Sequence, residues 1–183
     1  MLRDKKPVGK RVAIIGAGGI GFDVAEFLAH GDHWPETIDS FLNEWGVDKS
    51  YAEAGGMVEP QVKPSARDIY LMQRSGGKLG ARLGKTTGWI HRSSLKHKKI
   101  KMLGNVRYQK IDDEGLHITV NDEPRLLEVD NVVICAGQVS LRDLQAPLEE
   151  AGMKVHLIGG AELAAELDAK RAIDQGSRLA AEL

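Results

Sequence analysis

Residues Arg11–Ala25, RVAIIGAGGIGFDVA, indicate the fold of this 183-residue chain. A short apolar run, Val12–Ile15, is followed at once by glycines in the spacing G-x-G-x-x-G, and an apolar helical pattern then begins. The spacing carries meaning only between a strand and a helix, which is the context found here. It predicts a turn that binds the pyrophosphate of a dinucleotide. The alternative is a tight βα turn that binds nothing.

Each glycine of this turn has a separate predicted role. Gly16 makes the tight turn, Gly18 lets the backbone come close to a pyrophosphate, and Gly21 lets the helix pack closely on the strand. The free N–H groups at the start of the helix then face a doubly negative ligand. The predicted pyrophosphate-binding residues are Gly16, Ala17, Gly18, Gly19, Ile20 and Gly21.

The composition is typical of a soluble globular protein, with 42% hydrophobic and 28% charged residues and a net charge of −1. No apolar run approaches the roughly 20 residues that a membrane helix needs, so we expect no membrane partner. The single cysteine, Cys135, lies in an apolar run and excludes an internal disulfide, which favours a buried thiol in a cytoplasmic protein. His30 and His33 have a helical spacing, but no third ligand is evident, and we predict no metal site.

The charges are unevenly distributed along the chain. Between Ile69 and Ile111 there are eleven Lys and Arg residues, and all 26 acidic residues lie outside this acid-free segment. A positive cleft concentrates anionic ligands. The segment lacks interleaved aromatic residues and a known nucleic-acid motif, so we expect no nucleic-acid partner. A solvated basic face is the favoured interpretation for four of its lysines, Lys96, Lys98, Lys99 and Lys101.

The end of the second predicted strand, Asp68–Gln73, indicates the type of cofactor. A protein that selects NAD usually has Asp or Glu there, which accepts a hydrogen bond from the ribose 2′-hydroxyl. Here Arg74 and Ser75 follow instead, and a guanidinium binds a phosphate bidentately. We therefore predict NADP(H) rather than NAD(H), with Lys78 adding positive charge. The alternative is that Arg74 is a surface residue.

The first part of the chain predicts a strand at Arg11–Ile15 and a helix at Gly19–His30. Residues 31–66 then form an insertion, in which Pro35–Trp45 has apolar side chains on one helical face. Long insertions in compact domains tend to be functional. The sequence leaves open whether this one covers the cofactor, docks another domain or only packs on the fold.

The rest of the chain continues an α/β pattern. A helix near 87–98 and a short strand at 100–103 precede three strands that look antiparallel, at 106–111, 116–120 and 125–129. Asn131–Ala136 is a continuous apolar run, as expected for a buried parallel strand. The tail predicts a strand at Val155–Ile158, a glycine turn, and a helix at Glu162–Leu183 that is interrupted at Gly176. The predicted fold is Rossmann-like, with three layers built from a parallel sheet, an antiparallel meander and helices.

Five further stretches carry a resemblance to a known family. Together they resemble the C-terminal portion of bacterial NADPH-dependent 2,4-dienoyl-CoA reductases, which are related to trimethylamine dehydrogenase and the old yellow enzymes. The likeness covers nearly the whole chain. The stretches are Gly84–Arg92, Tyr108–Leu116, Val129–Gln138, Val155–Gly160 and Leu167–Ile173.

The resemblance implies a larger protein. In that family a TIM barrel carries FMN and a 4Fe–4S cluster, and a flavin domain and an NADPH domain follow, folded like disulfide reductases. Electrons pass from NADPH to FAD, then through the cluster to FMN and the dienoyl-CoA. The resemblance therefore implies that residues 1–150 are the NADPH domain and that 151–183 are a strand and helix of an otherwise missing FAD domain. The FAD and barrel domains are the implied partners, and we expect this chain alone to be inactive.

The resemblance also implies cofactor contacts, position by position. The residues that contact the adenosine phosphate are Arg74, Ser75 and Lys85. The strand end that lies close to the dinucleotide consists of Ala136, Gly137 and Gln138. The turn that contacts the flavin consists of Gly159 and Gly160. Related flavin domains often have Asp where Gly160 stands, so we expect FAD binding by this chain to be weak or absent. We predict no catalytic residue, because the redox chemistry belongs to the cofactors. Two alternatives are a structural module that holds ADP and an interdomain docking module.

Overall fold

The computed structural model describes residue 4 and residues 6–31, 37–165 and 169–183. The chain divides into two compact units, Met1–Ala136 and Gly137–Leu183. The first unit thus ends earlier than residue 150, where the sequence placed the domain boundary.

A parallel sheet forms the centre of the first unit. Among the described residues it has four strands: β1 (Arg11–Ile15), β2 (Asp68–Met72), β3 (Lys101–Leu103) and β7 (Asn131–Ile134). Their order in the sheet is β3-β2-β1-β7. Central strand β1 pairs with β2 and β7, so that Ile15 is level with Met72 on one side and with Ile134 on the other. The carboxyl ends of the strands therefore lie at one edge of the sheet.

Layers of different kinds cover the two faces of this sheet, because successive side chains of a strand point to opposite faces. Ile14 packs in a core cluster with residues of helices α1 (Gly19–His30) and α3 (Gly88–His97). Ala13 packs in a second cluster with residues of an antiparallel meander. The predicted three-layer α/β fold is confirmed. The meander strands are β4 (Val106–Asp112), β5 (Gly115–Val120) and β6 (Glu123–Leu127).

Asn131–Ala136 was predicted to be a buried parallel strand: the parallel strand is confirmed over Asn131–Ile134, but its predicted burial is wrong. Its strand, β7, lies at the edge of the sheet and has β1 as its one neighbour among the described strands. The side chains at 131–133 are half-buried, and Ile134 is 68% exposed. An apolar run marks a strand, but its burial depends on which elements flank it.

The tail also differs from its prediction. The described residues of the second unit form helices α4 (Gln145–Glu150), α5 (Gly159–Glu162) and α6 (Ala169–Glu182). No strand forms at Val155–Ile158, because no described strand pairs with it and an isolated strand leaves its N–H and C=O groups without partners. Gly159–Gly160 opens α5 instead of forming a turn.

The long tail helix that was predicted from Glu162 begins at Ala169 in the structure. Glu162 instead ends α5, and Leu163 after it is extended; residues 166–168 lie outside the described residues. Gly176 lies inside α6 without a break, since one glycine in a helix costs only about 1 kcal/mol relative to alanine.

The insertion forms helix α2 (Ile38–Trp45), as predicted, while Pro35 and Glu36 lie outside the described residues. Thr37 and Ser40 cap it reciprocally, each side-chain oxygen accepting the other residue's backbone N–H at 3.1 Å. Trp45 packs on His97 at the end of α3, with 5.7 Å between ring centroids. The insertion therefore packs on the helical layer.

An ion pair fastens the insertion to the end of α3. Lys98 Nζ lies 2.6 Å from Glu44 Oε1 and donates to the Lys63 carbonyl at 3.1 Å. The two side chains are only 3% and 15% exposed. The interpretation of Lys98 as part of a solvated basic face is therefore wrong. Lys101 is also paired, with Nζ 2.9 Å from Asp68 Oδ1.

None of the helices in the described part of the chain is long and apolar enough to cross a membrane.

Replacing Glu44 by glutamine should destabilise the first unit, because it leaves the buried Lys98 ammonium without a counter-charge. We expect urea unfolding of Glu44→Gln to show a loss of about 3 kcal/mol. Lys49→Gln is the matched control, since Lys49 pairs with Asp39 in the same insertion but both side chains are exposed. That change should cost less than about 1 kcal/mol. Equal losses in the two variants would contradict the buried pair.

Candidate functional site

The glycine turn lies where the central strands end. The Gly16 N–H donates to the Met72 carbonyl at 2.9 Å, and the Cys135 N–H donates to the Ile15 carbonyl at 2.7 Å. From β1 the chain proceeds to β2 on one side and returns to β7 on the other. A crevice at such a reversal, outside the carboxyl ends of parallel strands, is where α/β proteins bind nucleotides.

The three glycines differ in the space around them, as their predicted roles require. Gly16 has φ +112°, and a Cβ there would lie 2.6 Å from the Cys135 carbonyl oxygen. A Cβ on Gly21 would lie 1.8 Å from the Gly16 carbonyl oxygen, so helix and strand touch at this point. Gly18 and Gly19 have no atom within 4 Å of the same position. The turn is thus closed toward the protein and open toward solvent.

The amino end of α1 is available to an anion. Gly18 is its N-cap and has no side chain to accept from the first N–H groups, and the first turn holds no acidic residue. Gly18, Gly19 and Ile20 are exposed, while Ala17 packs partly buried against the helical core. Unpaired N–H groups and the helix dipole make this end electropositive, which favours a phosphate.

The loop after β2 holds the predicted adenosine-phosphate residues in a fixed backbone. Gln73 Nε2 and the Asn105 N–H both donate to the Ser75 carbonyl at 3.1 Å. Arg74 and Ser75 are exposed, and Arg74 forms no ion pair with an acid in the described part of the chain. Burial raises the pKa of the Tyr108 phenol, and the nearby Arg74 guanidinium offsets part of that rise.

A basic cavity of about 470 Å³ lies beside this loop. One wall is the loop Gly77–Leu79, the floor includes Met102, and the other wall is one flank of α3. Lys78, Arg92 and Lys96 supply its cations, and within the described residues none of them pairs with a carboxylate. The α3 residues that line it are Trp89, Arg92, Ser93 and Lys96.

Sequence reasoning missed the α3 side of this cavity. Arg92 was only one of the eleven cations of the acid-free segment, and Lys96 was assigned to a solvated face. The spacing i, i+3, i+4, i+7 from Trp89 to Lys96 was the available signal, because it places these side chains on one flank of a helix. Arg92 is partly anchored, since its guanidinium donates to the Gly80 carbonyl at 2.9 Å.

The other residues predicted to contact the nucleotide are all exposed, and their contacts stay a prediction. Lys85 is exposed in the loop before α3. Ala136 follows Cys135, the residue whose carbonyl contacts Gly16, and is exposed. Gly137 and Gln138 begin the second unit and are exposed as well.

The predicted flavin-contacting turn, Gly159–Gly160, makes contacts with other residues of the second unit. The Gly159 N–H donates to Gln175 Oε1 at 2.6 Å, and a Cβ on Gly159 would lie 2.9 Å from Ala172 Cβ on α6. Gly160 is partly buried in the first turn of α5. The amide that a flavin would meet at Gly159 already has a partner.

The one cysteine is half-buried rather than fully buried. Cys135 packs against the helical core, and burial raises the pKa of its thiol. A thiol with a raised pKa is a poor nucleophile at neutral pH.

Three potential metal ligands in the described residues lie within 4.8 Å of one another, on the β4–β5 hairpin: Asp112, Glu114 and His117. Both oxygens of Asp112 already have cationic or ring partners, with Lys110 Nζ at 2.6 Å and His117 Nε2 at 2.9 Å. These partners lower the pKa of Asp112 to about 2. The cluster is accounted for by these pairs, so we assign no metal to it.

The sequence profile of the pyridine nucleotide-disulphide oxidoreductase family matches residues 1–170. A metal reductase of Desulforamulus reducens is 22% identical over 88% of this chain and 23% of its own length. A structure of 2-naphthoyl-CoA reductase with 2-naphthoyl-CoA has a TM-score of 0.60 and 19% identity, over 96% of this chain and 21% of its own. A Cu(II) complex of the flavoprotein disulfide reductase RclA of Escherichia coli has a TM-score of 0.53 and 13% identity, over 94% of this chain and 35% of its own. The chain spans under a quarter of the metal reductase and of the naphthoyl-CoA reductase.

Two alanine substitutions in the turn should reduce stability by very different amounts. Gly21→Ala forces its Cβ against the Gly16 carbonyl, so we expect a loss of more than about 2 kcal/mol in urea unfolding, as for other overpacked sites. Gly18→Ala meets open space and should cost less than about 1 kcal/mol. If both variants unfold like the parent chain, the close contact between α1 and β1 is not present.

Proposed function

Because the chain belongs to the pyridine nucleotide-disulphide oxidoreductase family, whose members bind FAD and NAD(P)(H), we propose that its first unit binds NADP(H). We also propose that this unit presents the nicotinamide of NADPH to FAD for hydride transfer in a larger flavoprotein oxidoreductase. One observation carries the binding proposal: the open space at Gly18 and Gly19 in front of an uncapped helix end, at the carboxyl edge of the sheet.

The pyrophosphate fits this turn for steric and electrostatic reasons. No side chain lies between the N–H groups of the first turn of α1 and an approaching phosphate. Gly16, Ala17 and Ile20 complete the backbone around that end, and Gly21 holds it against β1. The residues thus bind the ligand mainly through backbone amides, which are fixed before the ligand arrives.

The proposed preference for NADP(H) over NAD(H) rests on cationic side chains that have no carboxylate partner among the described residues. Arg74 and Ser75 follow β2, where an NAD-selective protein has a carboxylate. The basic cavity adds the cations Lys78, Arg92 and Lys96, and Trp89 adds an aromatic face for adenine. A phosphate on the ribose completes charge-assisted hydrogen bonds there, whereas a hydroxyl leaves the cations unpaired.

The bound dinucleotide supplies the hydride, and the chain's own residues position it. The turn fixes the pyrophosphate, and the basic cavity fixes the adenosine end. We assign Lys85, Ala136, Gly137 and Gln138 to further contacts with the dinucleotide, and Gly159 and Gly160 to the flavin side. No residue of the chain is proposed to transfer a proton.

We further propose that the electrons reach a 2,4-dienoyl-CoA thioester in the β-oxidation of unsaturated fatty acids. This step rests on the five resembling stretches alone. FMN and a 4Fe–4S cluster belong to the barrel portion that the resemblance implies, and the lone Cys135 of this chain cannot ligate such a cluster. An FAD domain and a barrel domain are the proposed partners.

Calorimetry with NADPH and NADH tests the nucleotide site. Wild-type chain should bind NADPH at least about tenfold more tightly, equivalent to about 1.4 kcal/mol from the 2′-phosphate contacts. Gly18→Val should weaken both coenzymes because its side chain occupies the space in front of α1. Equal affinities of the wild-type chain for NADPH and NADH would remove the 2′-phosphate argument, and no heat with either would remove the nucleotide site.

The double variant Arg92→Gln/Lys96→Gln tests the basic cavity separately. It should lose most of the preference for NADPH while keeping its affinity for NADH, because only the 2′-phosphate contacts change. Lys99→Gln is the matched control, since Lys99 is an exposed cation of the same acid-free segment that does not line the cavity. If the control loses as much preference as the double variant, the effect comes from net charge and the cavity is not the site.

A further inference from the structure

A second cavity, of about 580 Å³, lies between α1, α2 and α3. It touches a flank of α3 formed by Ile90 and Ser94, whereas Arg92 and Lys96 line the basic cavity on the other flank. Trp89 stands at the border and lines both. The volume is in the range of pockets that enclose a small organic molecule.

The walls of this cavity are aromatic and incompletely covered. Phe41 and Trp89 are 51% and 56% exposed, and Ile90 is 37% exposed. Phe41 and Trp45 lie side by side on α2, with 6.4 Å between ring centroids. Exposed apolar side chains that converge on a cavity indicate a binding surface, because covering them with a ligand removes apolar area from water.

The charge of the cavity is opposite to that of its neighbour. No Lys or Arg is among the described residues that line it, and its titratable residues are Glu26, Glu44 and His30. Lys98 forms an ion pair with Glu44 and balances its charge. Glu26 is three-quarters buried and accepts from the Ser94 hydroxyl at 2.9 Å, with His91 Nδ1 at 3.4 Å from its other oxygen. Its carboxylate is therefore held in place at an aromatic wall without a Lys or Arg partner.

We propose that this aromatic cavity binds a small organic cation, a protonated amine carried on a flat apolar body. The ammonium N–H groups donate to Glu26, and the faces of Trp45 and Trp89 attract the positive charge. The apolar body is covered by Phe41 and Ile90. A phosphate or carboxylate ligand is excluded, because it would lie against the Glu26 carboxylate. The site is thus separate in chemistry from the nucleotide site.

A charge series of similar shape tests the ligand class by calorimetry on the whole chain. The probes are 2-phenylethylammonium, neutral 2-phenylethanol and anionic 3-phenylpropanoate. We expect the ammonium to bind at least about tenfold more tightly than the alcohol, and the carboxylate to give no measurable heat. Equal affinities of the ammonium and the alcohol, or no binding of the ammonium at millimolar concentration, would overturn the proposal.

Glu26→Gln tests the residue assignment, since the amide oxygen still accepts from Ser94 while the charge is gone. The variant should bind the ammonium at least about tenfold more weakly and the alcohol with little change. Asp23→Asn is the matched control, because Asp23 is an exposed acid on the same helix that does not line the cavity. It should leave both affinities unchanged, and circular dichroism should show that both variants fold.

Two results would count against Glu26 and the cavity. Equal weakening in Glu26→Gln and Asp23→Asn would mean that the ammonium responds only to the overall charge of α1. A dimer in sedimentation that Phe41→Ser abolishes would mean that a second copy of the chain covers the aromatic wall. Either result overturns the assignment of a small-molecule site.

Discussion

The contact between Gly21 and the Gly16 carbonyl is the constraint on which the site depends. Because no Cβ fits between them, α1 starts directly against the end of β1, and the space in front of Gly18 and Gly19 is open. The end of β1 lies at the same edge of the sheet as the ends of β2 and β7, which are in register with β1. The close approach of α1 to β1 therefore places the start of α1 at the same edge of the sheet as the loop after β2 and the Cys135 carbonyl.

Helix α3 separates the basic cavity from the aromatic cavity. Its cationic flank faces the loop after β2, and its other flank faces the insertion through Ile90 and Ser94. The buried pair of Lys98 and Glu44 fixes the insertion at the end of the same helix. A buried ion pair adds little net stability compared with an apolar contact, but it penalises any other packing of the insertion, since Lys98 would then lose its counter-charge.

Local sequence patterns predicted most elements of the first unit. The bounds of β1 and α1 are those predicted, and the meander strands differ by a few residues at their ends. The predictions failed where the outcome depends on a neighbour. The apolar run of β7 is only half-buried, with Ile134 exposed, because it lies at an edge, and Val155–Ile158 forms no strand because no described strand pairs with it. A run of apolar residues contains no information on what flanks it.

For the site, local sequence is enough to specify the glycine turn, because each glycine requirement is local: a positive φ at Gly16, open space at Gly18 and a close approach at Gly21. The acid-free segment and the position of Arg74 can also be read directly from the sequence. Which of the described cations pair with an acid depends instead on how the folded chain packs. Lys98 is buried against Glu44, 54 positions earlier, whereas Lys96 lines the basic cavity with Lys78. Charges interact through space, so the role of each lysine depends on contacts between residues that are distant in sequence.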